Sequence, residues 1–105
     1  MYVRLITYHV KPWVTEAHAS SIYDEMFSVM KPLAGFLGMT LLLNEDSRMA
    51  MSLSYWEDQD CATEAGPMIL PLLMGRAETL VDRPPEVSGF DVVRQEKQRP
   101  EPIFR

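Results

Sequence analysis

The chain has 105 residues, a formal net charge of −5 and 47% hydrophobic residues, which together predict a single globular domain. Its Lys and Arg residues are scattered, and the acidic balance disfavours binding to the phosphate backbone of nucleic acid. No apolar run reaches the roughly 18 residues that a transmembrane helix needs, so we expect no membrane span.

The start of the chain and its cysteine content predict a cytoplasmic protein. Met1-Tyr2-Val3-Arg4 leads directly into strand-like sequence, without the basic start and apolar stretch of a secretory signal. Cys61 is the only cysteine, so no disulfide can form within the chain, which suits a reducing compartment.

Residues 2–10 alternate between two faces and are rich in aromatic and β-branched side chains, which predicts a first strand ended by Pro12. The face that we expect to lie under the helices carries Val3, Leu5, Thr7 and His9. Thr15 is a plausible N-cap for a first helix, with Glu16 in its first turn. Apolar residues at three- and four-residue spacing make that helix amphipathic, and it ends near Pro32 and Gly35.

A β-hairpin is predicted next, with strands over 36–44 and 48–57 joined by a polar turn at 44–47. The two faces of the second hairpin strand differ in size. One carries large side chains and the other carries Ala50, Ser52 and Ser54 before it ends at Trp56. A small-residue face permits either a close helix approach or an open space in which a ligand could bind.

The second helix is predicted to begin at Asp58, to be interrupted at Gly66-Pro67, and to resume at Pro71 until Arg83-Pro84-Pro85. A fourth strand follows from Val87 to about Gln95. We therefore predict one domain over 1–95 and a flexible C-terminal tail over 96–105, whose apolar Ile103-Phe104 end is either disordered or docked on a partner subunit.

The element order β-α-β-β-α-β predicts an α+β, ferredoxin-like fold with a four-stranded antiparallel sheet and both helices on one face. The other face would then be bare and apolar, which a soluble monomer does not tolerate. Two sheets packed face to face would cover it, so we expect a homodimer through the open sheet face. The residues expected there are Tyr2, Ile6, Tyr8, Leu37, Met39, Leu41, Leu43, Met49, Met51, Leu53 and Tyr55.

Four features of the chain carry a resemblance to a known family. They are Gly35-Phe36-Leu37-Gly38 at the start of the second strand, the turn at 44–47, Ser54-Tyr55-Trp56-Glu57-Asp58 at the strand-to-helix junction, and the proline-containing second helix. With these features, residues 2–95 resemble the antibiotic biosynthesis monooxygenase-like proteins, which are dimeric α+β barrels.

The resemblance implies a homodimeric barrel with outer helices and a pocket in each subunit between sheet and helices. Some relatives oxidise polycyclic aromatic substrates with dioxygen and neither metal nor flavin, so no cofactor is expected here. Others cleave haem, isomerise lactones or have no established activity. At the positions that the haem-degrading branch uses, this chain has Leu5, Ala65 and Gly75, which depart from that pattern.

The candidate catalytic residue is His9, either a proton acceptor at a pocket mouth or a strand-end residue bonded to water. Trp56 is either core packing or pocket wall. His18 is favoured as a hydrogen-bonded helix-edge residue, with ligand contact as the alternative. The substrate-binding set that we predict is Leu5, Thr7, Ser52, Ser54, Trp56 and His18. Cys61 is either a reactive thiol in a helix first turn or a small packed residue, and no metal site is expected.

Three functions remain open. The first is a cofactor-independent monooxygenase acting on a small aromatic or quinol-like hydrophobic molecule. The second is a non-catalytic module that binds or senses a hydrophobic metabolite. The third is an isomerase of small lactone-type compounds. A fold by itself does not decide among them.

Overall fold

The computed structural model describes residues 1–96, apart from the side chain of Ala77. Its elements are β1 (Tyr2–His9), α1 (Glu16–Met30), β2 (Phe36–Asn44), β3 (Met49–Trp56), α2 (Gln59–Ala77) and β4 (Glu86–Asp91). The strands form one antiparallel sheet in the order β2-β3-β1-β4. The predicted α+β, ferredoxin-like fold is confirmed. Of the predicted tail over 96–105, only Glu96 is among the described residues. Ile103 and Phe104 lie outside them.

Local signals at the helix starts place both helices where the sequence predicts them. At α1 the backbone N–H of Thr15 donates to Nδ1 of His18 at 3.0 Å, so the exposed His18 serves as a capping residue. At α2 the Asp58 carboxylate accepts from the backbone N–H of Cys61 at 2.9 Å. That backbone hydrogen bond holds the pKa of Asp58 below its ordinary value of 3.8.

The predicted interruption of the second helix is wrong, because α2 is continuous through Pro67 and Pro71. Each proline lacks the N–H that would bond the carbonyl four residues earlier, at Thr63 and Pro67. These residues are exposed, so water can satisfy the carbonyls that the prolines leave unpaired. The helix also ends earlier than expected, at Ala77, and Val81 forms an isolated bridge with Val10 instead of a helical turn.

The turn between α1 and β2 depends on Gly35. Its φ is +78°, a conformation that residues with a Cβ rarely adopt. A Cβ there would also clash with the side chain of Cys61. This close approach joins the start of the hairpin to the first turn of α2, and the backbone N–H of Glu57 donates to the carbonyl of Gly35 at 2.8 Å.

The strand register reverses the predicted faces of β1 and β2. Ile6 pairs with Ser52 and Leu41 also pairs with Ser52, so all three share the face that packs against the helices. The open face of β1 therefore carries Val3, Leu5, Thr7 and His9, not Tyr2, Ile6 and Tyr8. A one-residue change of parity moves every side chain of a strand to the other face. The predicted faces of β3 are the observed ones.

The hydrophobic core lies between the sheet and the two helices. Trp56 is its only fully buried large side chain among the described residues, at 0% exposure. Its ring meets Phe36 edge-on at a centroid distance of 5.3 Å, and the core around it includes Ala62 and Ala65 of α2. Neither helix, over the residues described, combines the length and apolar character that crossing a bilayer requires.

Candidate active-site cavity

A cavity lies inside this layer, between the small-residue face of β3, the neighbouring strands and both helices. The volume open to the centre of a water molecule is about 90 Å³. On the same measure, one water molecule needs only ~10–15 Å³. The helices and the segments beside them supply an apolar ceiling: Val14, Ile22, Met26, Met30, Ile69 and Leu73. Of the two arrangements that Ala50, Ser52 and Ser54 permit, the open space is the one present.

The floor of the cavity carries polar groups from β1 and β3. Tyr8 Oη and Ser52 Oγ are 3.0 Å apart, and the indole N–H of Trp56 donates to Ser54 Oγ at 3.0 Å. Ser54 accepts in that bond, so its own hydroxyl hydrogen can be donated to a ligand. The Tyr8–Ser52 pair uses one hydroxyl hydrogen for its own bond, which leaves the other for a ligand.

Arg4 brings a positive charge to the same floor. Its side chain lies directly across from Ser54 in the register and lines the cavity. One guanidinium N–H donates to the Ala62 carbonyl of α2 at 2.8 Å. The polar groups of this floor are two serine hydroxyls, a tyrosine hydroxyl and a guanidinium, all of which can donate hydrogen bonds. The cavity-lining residues that the structure describes include neither a carboxylate nor an imidazole. The cavity is therefore suited to a hydrophobic body with acceptor oxygens.

Tyr8 remains a neutral hydroxyl at physiological pH. Its side chain is 7% exposed, and burial raises its pKa from 10.0 to about 12 against the smaller, opposing effect of the hydrogen bond to Ser52. At neutral pH it can donate a hydrogen bond, but it cannot act as an anionic base.

The Tyr8 pKa predicts a specific loss of stability in alkali. The folded protein resists ionising Tyr8 and the unfolded chain does not, so this contribution is fully present below pH 10.0 and is lost as the pH rises towards 12. We expect the free energy of unfolding to fall by about 2 kcal/mol across that range from this group. Tyr8→Phe should remove that part of the pH dependence, measured by urea unfolding at a series of pH values. An identical slope in wild type and Tyr8→Phe would contradict the assignment.

The structure brings together some of the predicted site residues and separates others. Ser52 and Ser54 line the cavity, and Trp56 lies beside it, reaching it only through Ser54. Leu5, Thr7 and His9 lie on the open face of the sheet. His9 pairs with Met49 at the end of β1, away from the cavity. His18 lies in the first turn of α1, with its ring edge-on to Trp13 at 5.3 Å.

Three polar cavity residues were missed as site residues: Arg4, Tyr8 and Tyr23. The first two were assigned to the opposite face, so the correct parity of β1 would have found them. Tyr23 of α1 donates its hydroxyl to the Met39 carbonyl of the edge strand β2 at 3.1 Å and so spans one side of the cavity. A tyrosine on the apolar side of α1 was the available signal.

The surroundings of Cys61 favour the thiol over the thiolate. Its hydrogen bond with Asp58, together with desolvation and nearby carboxylates, raises its pKa above the ordinary 9.0. The interpretation as a small packed residue agrees with its contact beneath Gly35. Across residues 1–96 no group of three or more His, Cys, Asp or Glu side chains could hold a metal ion.

Comparison with known proteins identifies the fold through solved structures. No protein-family model matches the chain, and no curated protein matches it. A protein of unknown function from Nitrosomonas europaea, NE2512, superposes with a TM-score of 0.73 at 16% identity, covering 94% of this chain and 95% of its own.

Two further structures carry named activities. SnoaB, a cofactor-independent oxygenase from Streptomyces nogalater, superposes with a TM-score of 0.64 at 24% identity, covering 93% of this chain and 95% of its own. The ActVA-Orf6 monooxygenase of Streptomyces coelicolor, in complex with nanaomycin D, superposes with a TM-score of 0.72 at 16% identity. The match covers 95% of this chain and 92% of the ActVA-Orf6 chain. The resemblance to antibiotic biosynthesis monooxygenase-like proteins is thus confirmed for the fold, which is what identities this low establish.

Proposed function

We propose that this protein is a cofactor-independent monooxygenase that acts on a small aromatic or quinol-like molecule bound in the cavity. The observation that carries the proposal is the cavity itself, with its apolar ceiling and a floor of hydrogen-bond donors beside one cation. Support for the reaction type comes from SnoaB and ActVA-Orf6, the named oxygenases that share the fold. The lone Cys61 fits a reducing cytoplasm as the location.

The chemistry requires no group that the substrate and dioxygen do not supply. Loss of a proton converts the phenol or enol to an anion, which reduces dioxygen and forms a carbon–oxygen bond. The resulting peroxide anion takes up a proton and becomes a hydroperoxide. Loss of water then breaks the oxygen–oxygen bond and leaves a carbonyl on the substrate. One oxygen atom ends in the product and the other in water, and the substrate provides all four electrons.

The protein's part in this scheme is to stabilise the substrate anion. Arg4, Ser54 and the Tyr8–Ser52 pair direct donors at the space where the oxyanion would lie, and a preorganised donor set in a dry site lowers the substrate pKa. His9 lies on the other face of the sheet, so in this proposal the proton is released to solvent. The role of His9 as proton acceptor stays a prediction that His9→Ala tests directly.

Oxygen uptake with a panel of naphthohydroquinones and hydroxyanthrones tests the proposal. We expect uptake above the uncatalysed rate in wild type and at least a tenfold loss in Ser52→Leu, whose larger side chain occupies the cavity. Ser28→Leu on the exposed side of α1 is the matched control and should retain full activity. Uptake equal to the uncatalysed rate would contradict the proposal.

The alternatives have distinct signatures in the same experiment. Tight binding without turnover would identify a binding or sensing module, and conversion without oxygen consumption would identify an isomerase of lactone-type compounds. Loss of turnover in a folded His9→Ala protein would restore His9 to the mechanism.

We also propose that two copies of the chain associate through their open sheet faces. The centre of that face pairs Leu5 with Leu53, and its edges carry Leu42 and Phe90, which are 49% and 54% exposed in the single chain. An apolar face of this kind is covered in most soluble proteins. A second, identical face supplies a cover of matching chemistry, and face-to-face sheet packing is a common arrangement.

A further inference from the structure

We infer that the cavity selects a hydrophobic ligand that carries a carboxylate at one end, and that Arg4 is the residue that determines this selectivity. The inference rests on the proposed function in that it names the substrate class of the same cavity. It depends on the position of one guanidinium and on the chemistry of the groups around it.

Arg4 has more donors than the protein uses. A guanidinium carries five N–H groups. Among the described residues, the one hydrogen bond that the Arg4 side chain donates runs from Nη2 to the backbone carbonyl of Ala62 at 2.8 Å. No Asp or Glu carboxylate of residues 1–96 lies within 4.0 Å of it, whereas Arg76 and Arg94 each have one. The half-buried charge of Arg4 therefore has no carboxylate partner among the described residues.

Helix α2 packs over that charge. Gly66 passes over the guanidinium, and a Cβ on Gly66 would lie 3.8 Å from Nη1 and 3.9 Å from Nη2. These are ordinary van der Waals distances, so the α2 backbone lies close over the guanidinium without a steric clash. The planar fork of an arginine matches the two oxygens of a carboxylate, and such bidentate pairs are among the strong hydrogen bonds of proteins.

The rest of the floor orients the ligand relative to Arg4. Ser54 lies across from Arg4, and Ser52 is two residues further along β3, at a spacing of roughly 6.6 Å along the strand. Donors thus continue in one direction from the guanidinium, while the ceiling is apolar throughout. A flat molecule with its carboxylate at Arg4 would place ring oxygens at Ser54 and at the Tyr8–Ser52 pair.

The overall charge makes this single cation decisive. The chain has a net charge of −5, so an anion gains nothing from the protein's general field. Arg4 is the only Lys or Arg side chain that lines the cavity among the described residues. Preference for an anionic ligand must therefore depend on this one side chain, and its removal should abolish the preference without emptying the apolar site.

Calorimetric titration with 2-naphthoate and with 2-naphthamide tests the inference. The two probes have nearly the same shape and differ in charge. We expect wild type to bind the carboxylate at least tenfold more tightly than the amide, and Arg4→Gln to bind the two within twofold of each other. Arg83→Gln, which removes an exposed arginine outside the cavity, is the matched control and should keep the wild-type ratio.

The comparison of the two probes on wild type stands without any variant, so a misfolded Arg4→Gln protein does not block the test. Equal affinities for the two probes, or no binding of either at millimolar concentration, would overturn the inference. A carboxylate preference lost equally in Arg83→Gln would overturn the assignment to Arg4. Binding is measured separately from oxygen consumption. Selective binding of 2-naphthoate, together with no oxygen uptake on the hydroquinone and anthrone panel, would reject the monooxygenase proposal and keep this inference.

Discussion

Replacing Trp56 with alanine is expected to lower the free energy of unfolding by about 3–5 kcal/mol, the usual cost of removing a large buried aromatic side chain. Trp56 is 0% exposed, packs edge-on against Phe36, and donates its indole N–H to Ser54. The substitution removes this packing and leaves a cavity in the core between the sheet and α2. Chemical unfolding followed by circular dichroism measures the loss.

The chain contains its own control for that experiment. Trp13 is 50% exposed at the start of α1, so Trp13→Ala should change stability by no more than about 0.5 kcal/mol, as surface substitutions usually do. Similar losses in the two variants would mean that Trp56 does not hold the core together. The same pair reports on the site, because Trp56→Ala frees Ser54 from its indole partner and Trp13→Ala does not.

Replacing Leu53 with arginine is expected to convert the proposed dimer to monomers. Leu53 lies at the middle of the open face, paired with Leu5 of β1 and Thr40 of β2. A charge at this point would be buried without a partner in a sheet-to-sheet contact, at a cost of several kcal/mol for each copy. Twofold symmetry places the substitution on both sides of the interface, so the dissociation constant should rise by more than about 1,000-fold.

Native mass spectrometry and analytical ultracentrifugation of untagged protein measure this effect. Met68→Arg is the control, because Met68 is 60% exposed on α2, on the side away from the sheet face. That variant should stay dimeric. A dimer that survives Leu53→Arg would place the interface elsewhere, and a monomeric wild type would remove the proposal that the open face is paired. An added mass on the wild-type dimer would provide a bound ligand to identify.

The fold is shared with the structural neighbours, whereas the cavity chemistry belongs to this chain. The solved structures of SnoaB and ActVA-Orf6 share the fold at low identity, and their activities are their own. The cavity chemistry is a property of this chain: a tyrosine that stays protonated, two serines and one arginine without an acidic partner among the described residues. The binding titration therefore tests the cavity chemistry, and the oxygen-uptake assay separately tests the reaction type that the neighbours suggest.

The sequence determined the elements of this protein because their signals are local. Thr15 is the N-cap position of α1, Asp58 caps α2, and the polar turn at 44–47 closes the hairpin, all at the predicted residues. Caps and turns depend on a few neighbouring side chains and backbone groups, which the sequence displays directly. The sequence also predicted the small-residue face of β3 correctly, because only one of the two faces of that strand carries large side chains.

Tertiary structure alone decided which faces of β1 and β2 meet the helices. Both faces of β1 mix apolar and polar side chains, so alternation could not separate the Ile6 side from the Leu5 side. Pairing with β3 fixed the parity and moved Arg4 and Tyr8 into the cavity while taking His9 out of it. The continuity of α2 was decided in the same way, because exposure of the carbonyls around Pro67 and Pro71 depends on where the helix packs. Residue spacing gives the elements, whereas long-range register and packing give the site.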